Sequence, residues 1–264
     1  MRLQDVRVGE VRVASVTAGK GPPLVLLHGA WCDGRAWRRQ LDGLGRDFAV
    51  TAWDAPGCGR SSDPPAEWRM PQYADCLAAW LAALGIDRPH VLGLSWGGVL
   101  ALELYRRHPD LPGSLVLAST YAGWAGSLPR EDVRERLERG LRELERPPEQ
   151  WVAGYLPGLL TEAAPVALVD EIVAMMCDLR PDGTRTMLHA VAEADLRDVL
   201  PRIRVPTLLL YGERDRRSPL AVAEALHASI PDSRLVVLPG VGHLANVERP
   251  DEWDAAVRAF LRAL

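Results

Sequence analysis

Gly93-Leu94-Ser95-Trp96-Gly97-Gly98 is the stretch on which the fold turns. Residues 89–94 before it read as a strand, and 97–108 after it read as a helix closed by Pro109. Gly-x-Ser-x-Gly between a strand and a helix is a nucleophile elbow. The serine sits on a strained turn, where side chains two positions before and two after would collide, so glycine stands at both. The turn lifts the hydroxyl into the open over a helix N-terminus, whose dipole favours negative charge. A glycine-rich turn closing an ordinary βα unit would share the pattern. The rest of the chain separates the two readings.

Working outward, strands and helices alternate. Residues 3–8 and 11–17 alternate apolar and polar around Gly9-Glu10, an antiparallel hairpin. Leu24-Val25-Leu26-Leu27 is a continuous apolar run, as suits a strand buried on both faces of a parallel sheet. A helix at about 35–45, a strand at 48–53, a helix at 71–84 and a strand at 114–118 continue the rhythm. It resumes with strands at 206–211 and 234–238 and helices at 218–229 and 250–263. Such alternation predicts a parallel sheet with helices on both faces. Between 121 and 197 no strand-like run occurs. Residues 131–146, 149–160, 162–179 and 183–195 read as helices, with Arg134, Glu138 and Arg142 four apart on one face. The expected organisation is a core of 1–120 and 198–264 with a helical cap at 121–197.

Composition narrows the classes. The 264 residues are 48% hydrophobic and 25% charged, which excludes a disordered or collagen-like chain. Net charge is −4, Lys20 is the sole lysine, and no basic run exceeds two residues. That leaves no electrostatic footprint for nucleic acid. No apolar stretch approaches the ~20 residues of a membrane span, and Met1–Val16 lacks the apolar centre of a signal peptide. Cys32, Cys58, Cys76 and Cys177 form no CxxC pair and read as reduced thiols of a cytoplasmic protein. No HExxH, Cys/His cluster, P-loop or GxGxxG spacing occurs, so neither a metal nor a nucleotide cofactor is expected.

A serine hydroxyl needs a base. Of the six histidines, His90, His108, His189 and His227 sit at element ends or within helices. His243 lies in Pro239-Gly240-Val241-Gly242-His243-Leu244, a loop after the last strand, where open α/β sheets bind ligands. It is the expected general base. The acid that orients it comes from Tyr211-Gly212-Glu213-Arg214-Asp215, and both Glu213 and Asp215 are candidates. The oxyanion needs two backbone N–H donors. Trp96, next to the nucleophile, supplies one, and Ala30, in the loop His28-Gly29-Ala30-Trp31, supplies the other. His28 is then structural. Trp31, Tyr121 and Trp124 are expected to line an apolar aromatic pocket. With no charged residue assignable to the nucleophile, the expected substrate is a small, neutral, apolar ester or lactone, handled by a monomer or homodimer.

Together these residues resemble the α/β-hydrolase superfamily: His28-Gly29, Asp54-x-Pro56-Gly57-x-Gly59-x-Ser61, the elbow, Gly212-x-x-Asp215, and Gly242-His243 with Glu248-x-Pro250. The resemblance covers the whole chain. It implies a mostly parallel eight-stranded sheet flanked by helices, with a helical cap after the sixth strand. It also implies that Asp215 is the acid. Ser95 separates the chain from branches with an aspartate nucleophile. His-Gly-Ala-Trp separates it from proline iminopeptidases, which carry His-Gly-Gly-Pro-Gly. The chain looks most like small esterases and enol-lactonases. Carbon–carbon bond hydrolases, cofactor-free haloperoxidases and ligand-sensing proteins of the same fold are the alternatives.

Overall fold

Alternation within the apolar runs builds the centre of the molecule. In a strand successive side chains point to opposite faces. Leu24 and Leu26 enter one apolar core and Val25 and Leu27 the other. The same split recurs at Leu115 and Leu117 against Val116 and Ala118, and at Leu209 and Tyr211 against Leu208 and Leu210. The cores hold 38 and 37 buried residues, so both sheet faces are covered about equally.

A computed structural model describes all 264 residues. Its eight strands are β1 Arg2–Val8, β2 Val11–Ala18, β3 Pro23–Leu27, β4 Ala49–Trp53, β5 His90–Leu94, β6 Ser114–Ala118, β7 Thr207–Gly212 and β8 Arg234–Leu238. They form one sheet in the order β1-β2-β4-β3-β5-β6-β7-β8. The β1–β2 and β2–β4 pairs are antiparallel and the rest parallel. The expected sheet and its hairpin are therefore present.

Helix α1 (Arg38–Gly43) and helix α10 (Pro250–Leu261) bury their apolar faces in one core. Helices α2 (Met70–Ala83), α3 (Trp96–Arg107) and α8 (Leu220–Ser229) bury theirs in the other. Pro71 stands in the first turn of α2, and Gly85 follows its end at φ 66°.

Between β6 and β7 lie α4 (Arg130–Glu143), α5 (Val152–Tyr155), α6 (Val166–Cys177) and α7 (Pro181–Glu193), with no strand of the sheet among them. The helix expected over 149–160 is corrected. A 3₁₀ turn at Pro148–Gln150 and the four-residue α5 replace it. Pro157 has no N–H to continue the ladder, and Gly158 takes φ 110°, a left-handed value that ends it. The expected helix at 35–45 is likewise split, with 3₁₀ turns at Gly34–Trp37 and Leu44–Arg46 flanking α1. A short helix α9 (Ala245–Glu248), absent from the sequence reading, precedes α10. No helix is long and apolar enough to cross a membrane.

Candidate active site

The elbow geometry follows from its two glycines. A Cβ on Gly93 would fall on the backbone of Gly97 and Gly98, and one on Gly97 would fall on the carbonyls of Leu27 and His28. The turn is thus pressed against itself and against the end of β3. Ser95 sits at φ 54°, ψ −114°, a strained conformation for a residue with a side chain. Its N–H donates to Ala118 O at 2.8 Å, and its carbonyl accepts from the Thr120 hydroxyl at 2.6 Å. Both ends of the turn are pinned to the tip of β6.

Asp215 and His243 meet across the ends of β7 and β8. His243 Nδ1 lies 3.0 and 2.9 Å from the two Asp215 oxygens. A carboxylate only accepts, so Nδ1 carries the proton and Nε2 is the basic nitrogen. Asp215 Oδ1 also accepts from the N–H groups of Arg217 and Ser218, both at 2.8 Å. Both side chains are buried. Glu213, the other candidate acid, is exposed and accepts from Gly240 N–H at 2.9 Å. Geometry therefore gives it a loop-bracing place and puts Asp215 on the imidazole.

His28 is fully buried and structural. Ala55 N–H donates to its Nε2 at 3.0 Å, and Nδ1 donates to Gly29 O at 2.8 Å. Burial lowers its pKa, which keeps the ring neutral. The fixed ring shapes the loop that carries Ala30. A Cβ on Gly29 would lie 3.3 Å from the Ser95 Cβ, so this loop passes directly over the serine. Trp31, the next residue but one, takes φ 65°. Its ring packs edge-on against Trp151 and at a tilt against Tyr155 of the inserted segment, with centroids 5.1 and 4.9 Å away.

Ser95, His243 and Ala30 line one cavity of about 60 Å³, together with Trp31, Tyr121 and Trp124. Ser95, His243, Ala30, Trp31, Tyr121 and Trp124 are thus brought to one cavity, Asp215 stands behind His243, and the Trp96 indole points elsewhere. That ring is core: its Nε1–H donates to Met187 O at 3.1 Å, and it packs edge-on against Tyr73. The surroundings also differ from the apolar, uncharged pocket expected. Arg136, Arg139 and Arg217 line the cavity with the serine. In sequence the two arginines of α4 merge into a helix face rich in charge, and nothing in a linear pattern brings Arg217 beside them.

Glu248 was recognisable only as part of the Glu248-x-Pro250 tail. Its Oε1 accepts from the N–H and hydroxyl of Thr161 at 2.6 and 2.7 Å, and Oε2 accepts from Gly242 N–H at 2.6 Å. It clamps the histidine loop to the inserted segment.

Sheet order, elbow and acid–histidine pair define an α/β hydrolase. The profile of the Alpha/beta hydrolase family matches residues 24–256, and the chain belongs to that family. It is 34% identical to the pimeloyl-(acyl-carrier protein) methyl ester esterase of Chromobacterium violaceum over 252 residues, 93% of this chain and 96% of that one. It is 32% identical over 250 residues to a Pseudomonas syringae protein provisionally named a carbamate hydrolase, RutD, covering 91% and 93% of the two chains. Among solved structures, a thermophilic esterase from Thermogutta terrifontis superposes with a TM-score of 0.91 at 30% identity, over 100% of this chain and 99% of that one.

Proposed function

We propose that this hydrolase is a serine esterase or lactonase in which Ser95 is the nucleophile, His243 the general base and Asp215 the orienting acid. The observation that carries the reading is the pairing of His243 with Asp215 in the cavity that a strained Ser95 also lines. Ser95 Oγ attacks the carbonyl carbon while His243 Nε2 takes its proton. The oxyanion is held by the N–H groups of Ala30 and Trp96, a type of contact worth about 10²–10³ in kcat per donor. The intermediate collapses as His243 returns the proton to the leaving oxygen, giving acyl-Ser95. Water, deprotonated by His243, then releases the acid and restores the serine. The cycle uses no cofactor.

Residues 121–197 serve as the cap in this reading. A cavity of about 60 Å³ is far below the ~300–1,000 Å³ of occupied small-molecule sites. Substrate entry therefore requires side chains that line the cavity to move aside, while helix α7 stays on the core. The four unpaired cysteines fit a reducing cytoplasm.

The test is release of p-nitrophenol from its alkanoate esters, acetate through octanoate, by wild type and Ser95→Ala together. Turnover confined to the wild type supports the reading. Equal turnover by both proteins overturns it. A phenyl carbamate in the same panel checks whether the chemistry extends to the class that the Pseudomonas syringae relative is named for.

A further inference from the structure

Three arginines stand between the cavity over Ser95 and a larger cleft, a position termed the neck. Arg136, Arg139 and Arg217 line both this cavity and a larger cleft of about 690 Å³ on its outer side. Tyr155 is common to both spaces and organises the neck. The Arg217 guanidinium lies 4.6 Å from its ring centroid and the Arg139 guanidinium 5.7 Å, while Arg217 Nη2 donates to Tyr155 O at 2.9 Å. Arg136 lies over Tyr121 at 5.7 Å and donates to its hydroxyl at 2.9 Å.

None of the three belongs to an ion pair. The contrast with their surroundings is direct: Arg134 pairs with Glu131, Arg142 with Glu138 and Arg146 with Glu143. The carboxylates of Asp132, Glu135, Glu138 and Glu143 line the outer cleft and stop short of the inner cavity. Three positive charges gathered with no carboxylate in contact repel one another. Burial, followed by the charges of Arg139 and Arg136, lowers the Arg217 pKa. A guanidinium fork is matched to a planar or tetrahedral anion, which it binds through paired N–H donors. An anion in the neck would relieve the repulsion and take up the unused donors.

We infer that the substrate carries a carboxylate or another anionic group away from its scissile carbonyl, and that Arg136, Arg139 and Arg217 bind that group and set specificity. This rests on the esterase reading above. The ester enters with its anion held in the neck and its carbonyl delivered to Ser95. The anion thereby selects among esters that react alike at the carbonyl.

The experiment compares paired esters in a pH-stat: monomethyl glutarate with methyl pentanoate, where the charge is on the acyl side, and 5-(butanoyloxy)pentanoate with pentyl butanoate, where it is on the alcohol side. In at least one pair the anionic ester should have the higher kcat/KM, by about 10- to 100-fold for charge-assisted hydrogen bonds, expressed mainly in KM. The preference should shrink as salt is raised, a readout on the wild type that needs no variant. In Arg139→Gln and Arg217→Gln the ratio within that pair should fall towards one. Turnover of the neutral esters with no anionic preference in either pair overturns this inference alone, as does a preference that survives both substitutions. No turnover of any of the four overturns the esterase reading and this inference with it.

Discussion

The hydroxyl of Tyr211 forms a reciprocal pair with the backbone of Thr120, accepting from its N–H at 3.0 Å and donating to its carbonyl at 2.7 Å. The same carbonyl accepts from the Ser218 hydroxyl at 2.8 Å, and Ser218 N–H donates to Asp215. The Thr120 hydroxyl meanwhile holds the Ser95 carbonyl. One hub therefore ties the Ser95 turn to the Asp215 loop. Tyr211→Phe leaves a buried N–H without its acceptor. Stability should fall by about 1–3 kcal/mol in urea unfolding, and kcat should fall with little change in KM. A variant as stable and as active as wild type would remove the hub from the account.

Asp215 is braced by two backbone N–H groups on one side and by His243 on the other. Asp215→Asn keeps the shape but replaces one acceptor oxygen with a donor, which favours the wrong imidazole tautomer. Esterase kcat should drop about 10⁴-fold, as at other triads, while the thermal unfolding midpoint stays close to wild type. Glu213→Gln, made alongside, should keep wild-type kcat within a fewfold. Inverted effects would assign the acid to Glu213.

Gly57 and Gly183 join the core to the inserted helices back to back. A Cβ on Gly57 would lie 2.7 Å from the Gly183 Cα. Around this point Arg180 donates to Asp63 and to the carbonyls of Gly59 and Ser61 at 2.6–2.8 Å. Helix α7 is thus fixed to the core. Gly183→Ala should destabilise by about 1–3 kcal/mol despite the helix propensity it gains. Gly154→Ala, with nothing within 4 Å of the new methyl, should be neutral or stabilising. Chemical denaturation of the two variants checks the contrast.

Asp254 is buried beside Gln40, whose side-chain amide donates to it at 3.1 Å. Burial raises its pKa from 3.8 to about 6. The unfolded chain then ionises first as pH rises, so stability is lost between about pH 4 and pH 6. Asp254→Asn should raise stability at pH 7 by about 1–2 kcal/mol, after discounting for solvent screening, and match wild type near pH 4. Unfolding curves at the two pH values decide. An equal difference at both would assign the effect to packing.

Most of the fold is legible because its signals are local. Leu24–Leu27 shows a two-faced strand without any partner in view, and Gly93 and Gly97 show an elbow because only backbone fits where they sit. Asp215 and His243 stand in loops directly after strands, so their meeting follows from strand order. What stayed hidden is tertiary. Glu248 reaches Thr161 across 87 positions of sequence. Arg136 and Arg139 look like any residues of a charged helix until Arg217, from the acid loop, is set against them by Tyr155. The helix expected over 149–160, with Pro157 as punctuation, shrinks to four residues because Pro157 and Gly158 end it rather than merely interrupt it.

The proposed mechanism depends on Ser95 forming the acyl-enzyme. The most direct measurement is peptide mapping by mass spectrometry after treatment with a fluorophosphonate, which phosphonylates an activated serine. One adduct per chain is expected, on Ser95, with esterase activity lost in step with labelling and no labelling in His243→Ala. Full labelling at another residue, or full activity in a chain carrying the adduct on Ser95, would contradict it.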